Sequence, residues 1–323
     1  MKKYELLKTD TINIEGRTLY RIRAVRSFSC VSAGDIGGYI EKEANLSHEG
    51  DCWVSGNAKI FGEAEVSDNA CVYRDAKVFG RARVYGDAEV FANACIYDDA
   101  CIYDNAEVSS YAKVSGNAQV FGNAWVFTNA CVHGNAWVSG DAKVYGDACI
   151  YDDACIYDNA EVSGNACVYG FAKVYGYAKV YDDAEVFDNA KVFCNAEIFN
   201  NARVSDNAWV FGDAHVSDDA WVYGDAQVFG HAKVYGDACI YDDAHVFDNA
   251  RIYDNGCVYG NACVYGNAKV SDDARIFGNA NVSGNANVFG DANVSDDSWV
   301  SGNICICAYG WVSDNAVHSR KSL

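Results

Sequence analysis

The feature that most constrains this chain is a six-residue period that does not slip. From Gly56 to Ser319 the sequence falls into 44 consecutive units without an insertion or deletion, of which GDAKVY at 140–145 is typical. The fifth position is Val or Ile in 43 of the 44, His318 being the exception; the third is Ala in 40, the exceptions being Gly256, Ser298, Ile304 and Gly310. One further unit, Gly50 to Ser55, precedes them with Cys52 in the Ala slot, and a two-residue slip separates its Val54 from Leu46.

Residues two apart on an extended strand point to the same side, so the Ala and the Val of each unit face inward while their neighbours face out. Beyond one outward position after the Val, two turn positions draw on Gly, Asp and Asn, which tolerate a left-handed backbone or close their own turn. Each unit therefore predicts one short strand and one tight turn. Three sides make an 18-residue triangular coil, and stacked coils pair as parallel strands. Forty-five units give 15 coils, a rod of roughly 72 Å at about 4.8 Å per coil. A flat two-sided solenoid is the lesser alternative that the period leaves open.

Composition sharpens this. There is no proline, against an ordinary usage of about 5%, so almost every residue needs its N–H or a φ that proline cannot adopt. No stretch approaches the roughly 18 apolar residues of a membrane span. The opening Met1-Lys2-Lys3-Tyr4-Glu5 lacks the apolar run of a secretory signal. Fifteen cysteines, an odd number, suit a reducing compartment better than a disulfide framework. The expectation is a soluble, cytoplasmic protein. A net charge of −20 argues against direct binding to nucleic acid or an anionic membrane. It leaves basic partners open.

Written from its aliphatic residue, VYGDAK resembles the hexapeptide repeat of left-handed parallel β-helices: aliphatic first, small residue fifth, Gly, Asp or Asn in the turn. AGDIGGYIEKEANLS at 33–47, with CWVSGNA at 52–58, is similar to the YdcK-like branch of that superfamily. Members of that branch are named as transferases without an established reaction. The resemblance implies an all-β, left-handed triangular solenoid. One departure is the position after the aliphatic residue, often Gly in the family and here Tyr, Phe or Ser.

Three segments are expected: 1–49, a β-hairpin cap and first coil; 50–319, the hexapeptide-repeat β-helix; and 320–323, a C-terminal tail. TINIEGRTLYRIRAV at 11–25 alternates around Glu15-Gly16 as a hairpin does. Its expected role is to cover the first coil edge, because an uncapped edge templates aggregation. Residues 1–49 carry eight basic and seven acidic side chains, so with Arg320 and Lys321 beyond the repeats the repeats themselves carry −23.

Residues 18 apart stack, so outward ladders are legible. The column after each Val runs Tyr157, Tyr175, Phe193, Phe211, Phe229, Phe247, Tyr265 on one face. It reads first as a self-stacking ladder that stiffens the solenoid, and second as an apolar strip for a second copy or another protein. All seven tryptophans and 11 of the 15 cysteines fall in the other outward column, between Ala and Val. Cys131, Cys149 and Cys167 share one face, as do Cys239 and Cys257. They read as packed thiols, since disulfides, though within Cα range, do not suit parallel side chains in a reducing compartment. Glu161, Lys179, Glu197 and His215 alternate as a surface ion-pair ladder of small worth.

The turns carry the acidity. One corner runs Asp182-Asp183, Asn200-Asn201, Asp218-Asp219, Gly236-Asp237, Asp254-Asn255, Asp272-Asp273, Gly290-Asp291. The plain reading is turn chemistry and solubility; the sharper one is an electrostatic decoy. Duplex DNA carries one charge per about 1.7 Å, and −23 over about 72 Å is about half that density. That is enough to attract a basic cleft. Acidic pentapeptide-repeat β-helices, a different fold, are similar in mimicking DNA. Calcium at paired corner aspartates is a third option.

Hexapeptide-repeat acyltransferases use a histidine base and a loop that helps hold the acyl donor between subunits. Here His215 and His245 fall on different faces, His133 sits in the aromatic column and His231 in a turn, and no loop leaves the coil between 56 and 319. Cys305-x-Cys307 lacks a second pair or a histidine at zinc spacing. Four threonines exclude the threonine ladders of an antifreeze rod. The expectation is a non-catalytic acidic scaffold without metal or cofactor, occupying the basic nucleic-acid-binding surface of a partner protein. Its acidic corner would be Asp182, Asp183, Asp218, Asp219, Asp237, Asp254, Asp272, Asp273 and Asp291, with the aromatic strip open to self-association. An acyltransferase-like enzyme with a site between subunits, or a self-assembling rod, is the alternative.

Overall fold

The computed structural model describes residues 2–313 and 316–320, with side chains described to 313 and at 316–317. The tail residues 321–323 and the side chains of His318 and Arg320 lie outside the described set. Two compact units make up the chain, Met1–Asn159 and Ala160–Leu323. Both are built the same way. Each coil supplies three two-residue strands, one to each of three parallel sheets, and the units together carry about fifteen turns. No α-helix occurs among the described residues, and no helix is long and apolar enough to cross a membrane.

Faces are named here by sequence phase. In the first unit Trp53–Val54, Cys71–Val72 and Glu89–Val90 begin the first face, Lys59–Ile60 and Lys77–Val78 the second, Glu65–Val66 and Arg83–Val84 the third. In the second unit the three phases start at Glu161–Val162, Cys167–Val168 and Lys173–Val174. Strands pair in register with those 18 residues on, so like stacks on like: Val192 on Val210, Val210 on Val228.

The period dictates the core. The Ala and Val or Ile of each repeat are fully buried through nearly the whole solenoid, so the interior is small and branched side chains in alternating layers. Backbone bonds follow the same rhythm: Trp209 N donates to Ala226 O at 2.9 Å, Phe211 N to Val228 O at 3.0 Å and Asp213 N to Gly230 O at 2.7 Å. Three N–H groups per unit thus donate to the next coil. The first turn residue of every described unit has φ between +53° and +81°. Those two facts bar proline, which has no N–H and a fixed negative φ, from four of the six positions of the unit. Thr128, at φ +62°, is the one β-branched residue at this position among the described residues.

At the amino terminus β1 (Tyr4–Ile14) and β2 (Arg17–Ala24) form an antiparallel hairpin turning at Glu15 (φ +51°) and Gly16 (φ +78°). β2 pairs antiparallel with β3 (Ile36–Ile40), which pairs parallel with Lys59–Ile60. The cap therefore hands the second face of the first unit to an antiparallel edge. At the start of the cap Lys3 and Tyr4 are fully buried: Lys3 Nζ donates to Cys52 O at 2.8 Å, and Tyr4 Oη to Leu46 O at 2.8 Å.

Candidate binding surfaces

The acidic corner belongs to the second unit and lies between its first and second faces. Its residues do two different jobs. Asp182, Asn200, Asp218, Asp254 and Asp272 occupy the left-handed turn position, with φ from +53° to +59°. From there a carboxylate reaches the next coil: Asp218 Oδ2 accepts from Gly236 N at 3.2 Å, and Asp272 Oδ2 from Gly290 N at 3.0 Å. Gly236 itself has φ +70°, and a Cβ there would come 2.8 Å from Asp254 N, so neighbouring corners are in close backbone contact. The second turn position points outward. There asparagine amides bridge to carboxylates one coil away, Asn165 to Asp183 at 2.8 Å, Asn201 to Asp219 at 3.0 Å and Asn255 to Asp273 at 3.0 Å. Asp219 and Asp237 follow each other without such an amide between them, as do Asp273 and Asp291.

Eight of the nine corner carboxylates are exposed, Asp218 being partly buried. The corner between the second and third faces of this unit is acidic too, with Asp188, Asp206, Asp225, Asp242, Asp243, Asp296 and Asp297. The remaining corner holds only Asp213 and Asp248, and His231 Nδ1 lies 3.4 Å from Asp213 Oδ2. Acidity in the second unit is thus lateral: two charged edges bracket the second face, no more than roughly 20 Å apart for six residues at up to 3.3 Å each. The outward residues between them include Glu185 with Arg203, 3.8 Å apart, and Arg275.

The aromatic strip lies at the edge of the third face. Tyr175, Phe193, Phe211, Phe229, Phe247 and Tyr265 stack with centroids 4.8–4.9 Å apart and planes within 5° of parallel. The coil rise sets that spacing. All six rings are half-buried; Trp209 packs edge-on against Phe193 at 6.2 Å, and Lys191 Nζ sits 4.4 Å from the Trp209 ring. Tyr157, the first residue of the strip in sequence, belongs to the first unit, where the same phase stacks Tyr85, Tyr103 and Phe121. In the second unit the strip and the acidic corner are separated by the first face, so they form two surfaces.

None of the fifteen cysteines is joined in a disulfide. Cys239 and Cys257 pair in register on the second face, followed by Arg275 and preceded by Trp221. Among the described residues no three His, Cys, Asp or Glu side chains are grouped to hold a metal ion. The alternating ladder places Lys179 Nζ 3.9 Å from Glu197 Oε1.

One site was not legible in the sequence. The cap loop Ser29–Val31 folds against the first coils and forms one wall of a half-open cleft of about 550 Å³. Trp53, which the repeat assigns to an outward column, is only 7% exposed because that loop covers it, with Phe28 edge-on at 5.5 Å. The other tryptophans of the column stand exposed, Trp137 at 48% for example. The two-residue slip before Val54 signals that the chain leaves the repeat here, but not where the loop lands.

These features define a class, the three-sheet parallel β-solenoid with an antiparallel amino-terminal cap. Beyond that class, the chain matches no protein-family model, and no curated protein is significantly similar to it.

Proposed function

We propose that this protein is a non-catalytic acidic binding scaffold whose carboxy-terminal unit occupies a basic, nucleic-acid-binding surface of a partner protein and so inhibits it. The finer reading of the fold, a left-handed hexapeptide-repeat β-helix of the YdcK-like branch, is part of the same proposal and rests on the repeat and the cap motif. The observation that carries the function is the corner itself: exposed carboxylates stand on six of its seven coils from 182 to 291, and a second acidic edge runs beside it across one face. Two parallel lines of negative charge attract a cleft built for a duplex. The acyltransferase reading rests on the resemblance alone.

The test is capture of basic proteins on the immobilised full chain at low and high salt, with duplex DNA as competitor. Retention at low salt, weakened by salt and displaced by DNA, is expected. A variant with Asp183, Asp219, Asp237, Asp273 and Asp291 all changed to Asn should keep its fold, since Asn201 and Asn255 already occupy that column, and should lose the captured partner. Failure to retain any basic protein, or retention indifferent to salt and DNA, overturns the proposal.

A further inference from the structure

The cleft under the cap is independent of the acidic corner and lies wholly within the first unit. Its floor is the outer surface of the first three rungs of the first face. One column is Trp53, Cys71 and Glu89, in register; beside it run Asp51, Asn69 and Asp87 on the turn, and Ser55 and Tyr73 on the other side. The roof is the tight turn at Ser29 and Cys30, closed by reciprocal bonds between Phe28 and Val31 of 2.8 and 2.9 Å. The volume is that of an ordinary small-ligand site.

Three carboxylates line this cleft and no cationic side chain does. Two of them are held in place by neighbours on the preceding coil: Glu89 Oε2 accepts from Tyr73 Oη at 2.8 Å, and Asp87 Oδ1 from Asn69 Nδ2 at 2.9 Å. The nearest cations are spent elsewhere or stand at the rim. Lys3 Nζ is committed to the carbonyls of Cys52 and Gly50 at 2.8 and 3.3 Å. The Arg74 guanidinium lies over the Tyr73 and Phe91 rings at 6.0 and 5.8 Å. The electrostatics agree: burial, then Glu89 and Cys30, push the Cys71 thiol up to about 11. Burial and the bond to Glu89 likewise raise the Tyr73 hydroxyl.

We propose that this cleft binds a small aliphatic diamine or polyamine. Oriented carboxylates take the ammonium N–H groups as charge-assisted hydrogen bonds, and the part of Trp53 that lines the cleft gives the ligand's methylenes an apolar contact. An anionic or neutral ligand of the same size meets three uncompensated carboxylates.

Isothermal titration of the full chain with 1,4-diaminobutane and with spermidine, at about 0.15 M salt to screen diffuse attraction, tests this. Saturable binding of one molecule per chain is expected, with 1,4-butanediol giving none. Asp87→Asn with Glu89→Gln should weaken binding at least tenfold. Asp141→Asn with Asp147→Asn, which removes the same charge from exposed turns of the same unit, should change it less than twofold. Arg74→Gln should tighten binding a few-fold by removing the rim cation. Equal losses in the two double variants, or many ligands per chain, would show counterion attraction without a site and overturn the proposal; so would no binding at millimolar ligand.

Discussion

At the residue scale, a repeat this regular makes every departure informative. Cys239 and Cys257 share one column, yet their outer neighbours differ: Trp221 flanks the first and Arg275 the second. The adjacent Cys239 thiol and the Arg275 charge, opposed by burial, bring Cys257 down to about 7. Cys239, beside Cys257 and partly buried, moves up. A lowered thiol keeps its reactive thiolate to lower pH, so alkylation of Cys257 should persist below pH 8 and fall away as pH drops through about 7. Mass-spectrometric ranking of all fifteen cysteines after brief iodoacetamide treatment at pH 7 should place Cys257 first. Cys239→Ala should move its profile to higher pH. A ranking that simply follows exposure, with Cys30, Cys194, Cys305 and Cys307 leading, would contradict this.

At the scale of the element, the aromatic ladder is a consequence of coil stacking that the sequence leaves optional. Ser283 occupies the same column as Phe211 and Phe229 and is buried, so the frame accepts a small residue there. Changing Phe211 and Phe229 together to Ser breaks three stacked contacts, each worth about 0.5–1.5 kcal/mol beyond area burial. The variant should retain its β-sheet circular dichroism at 25 °C and melt several degrees lower. Light scattering on the same variant tests the strip as an interface: an unchanged mass and an unchanged partner set remove it from consideration. Strand positions, turns and inward residues were all readable from the period, because each unit carries its own side-chain alternation and turn chemistry. What the period did not display is the division of labour among turn aspartates. Asp218 and Asp272 serve the next coil's backbone while Asp219 and Asp273 face outward, and only stacked corners make that distinction.

At the scale of the whole molecule, charge opposes the fold it decorates. A net charge of −20 with acidic residues concentrated on turns means self-repulsion that salt relieves. The Debye length shrinks from about 30 Å at 0.01 M to about 8 Å at 0.15 M. Melting temperature should therefore rise by a few degrees over that range of sodium chloride. A flat or falling trend would mean that the asparagine bridges and ion pairs already neutralise the turns, and would weaken the decoy proposal with it.

By itself the sequence determined the short strands, their turns, the inward core and the place of each outward column within the repeat, because these follow from six residues of local geometry repeated in register; that three sheets rather than two close the coil was decided by the tertiary structure. The tertiary structure decided where the cap loop lands, that Trp53 is covered, and that Cys30, Tyr73, Asp87 and Glu89 meet around one cleft. Those contacts join segments tens of residues apart through packing of a non-repeating cap, and a period carries no information about residues that do not obey it.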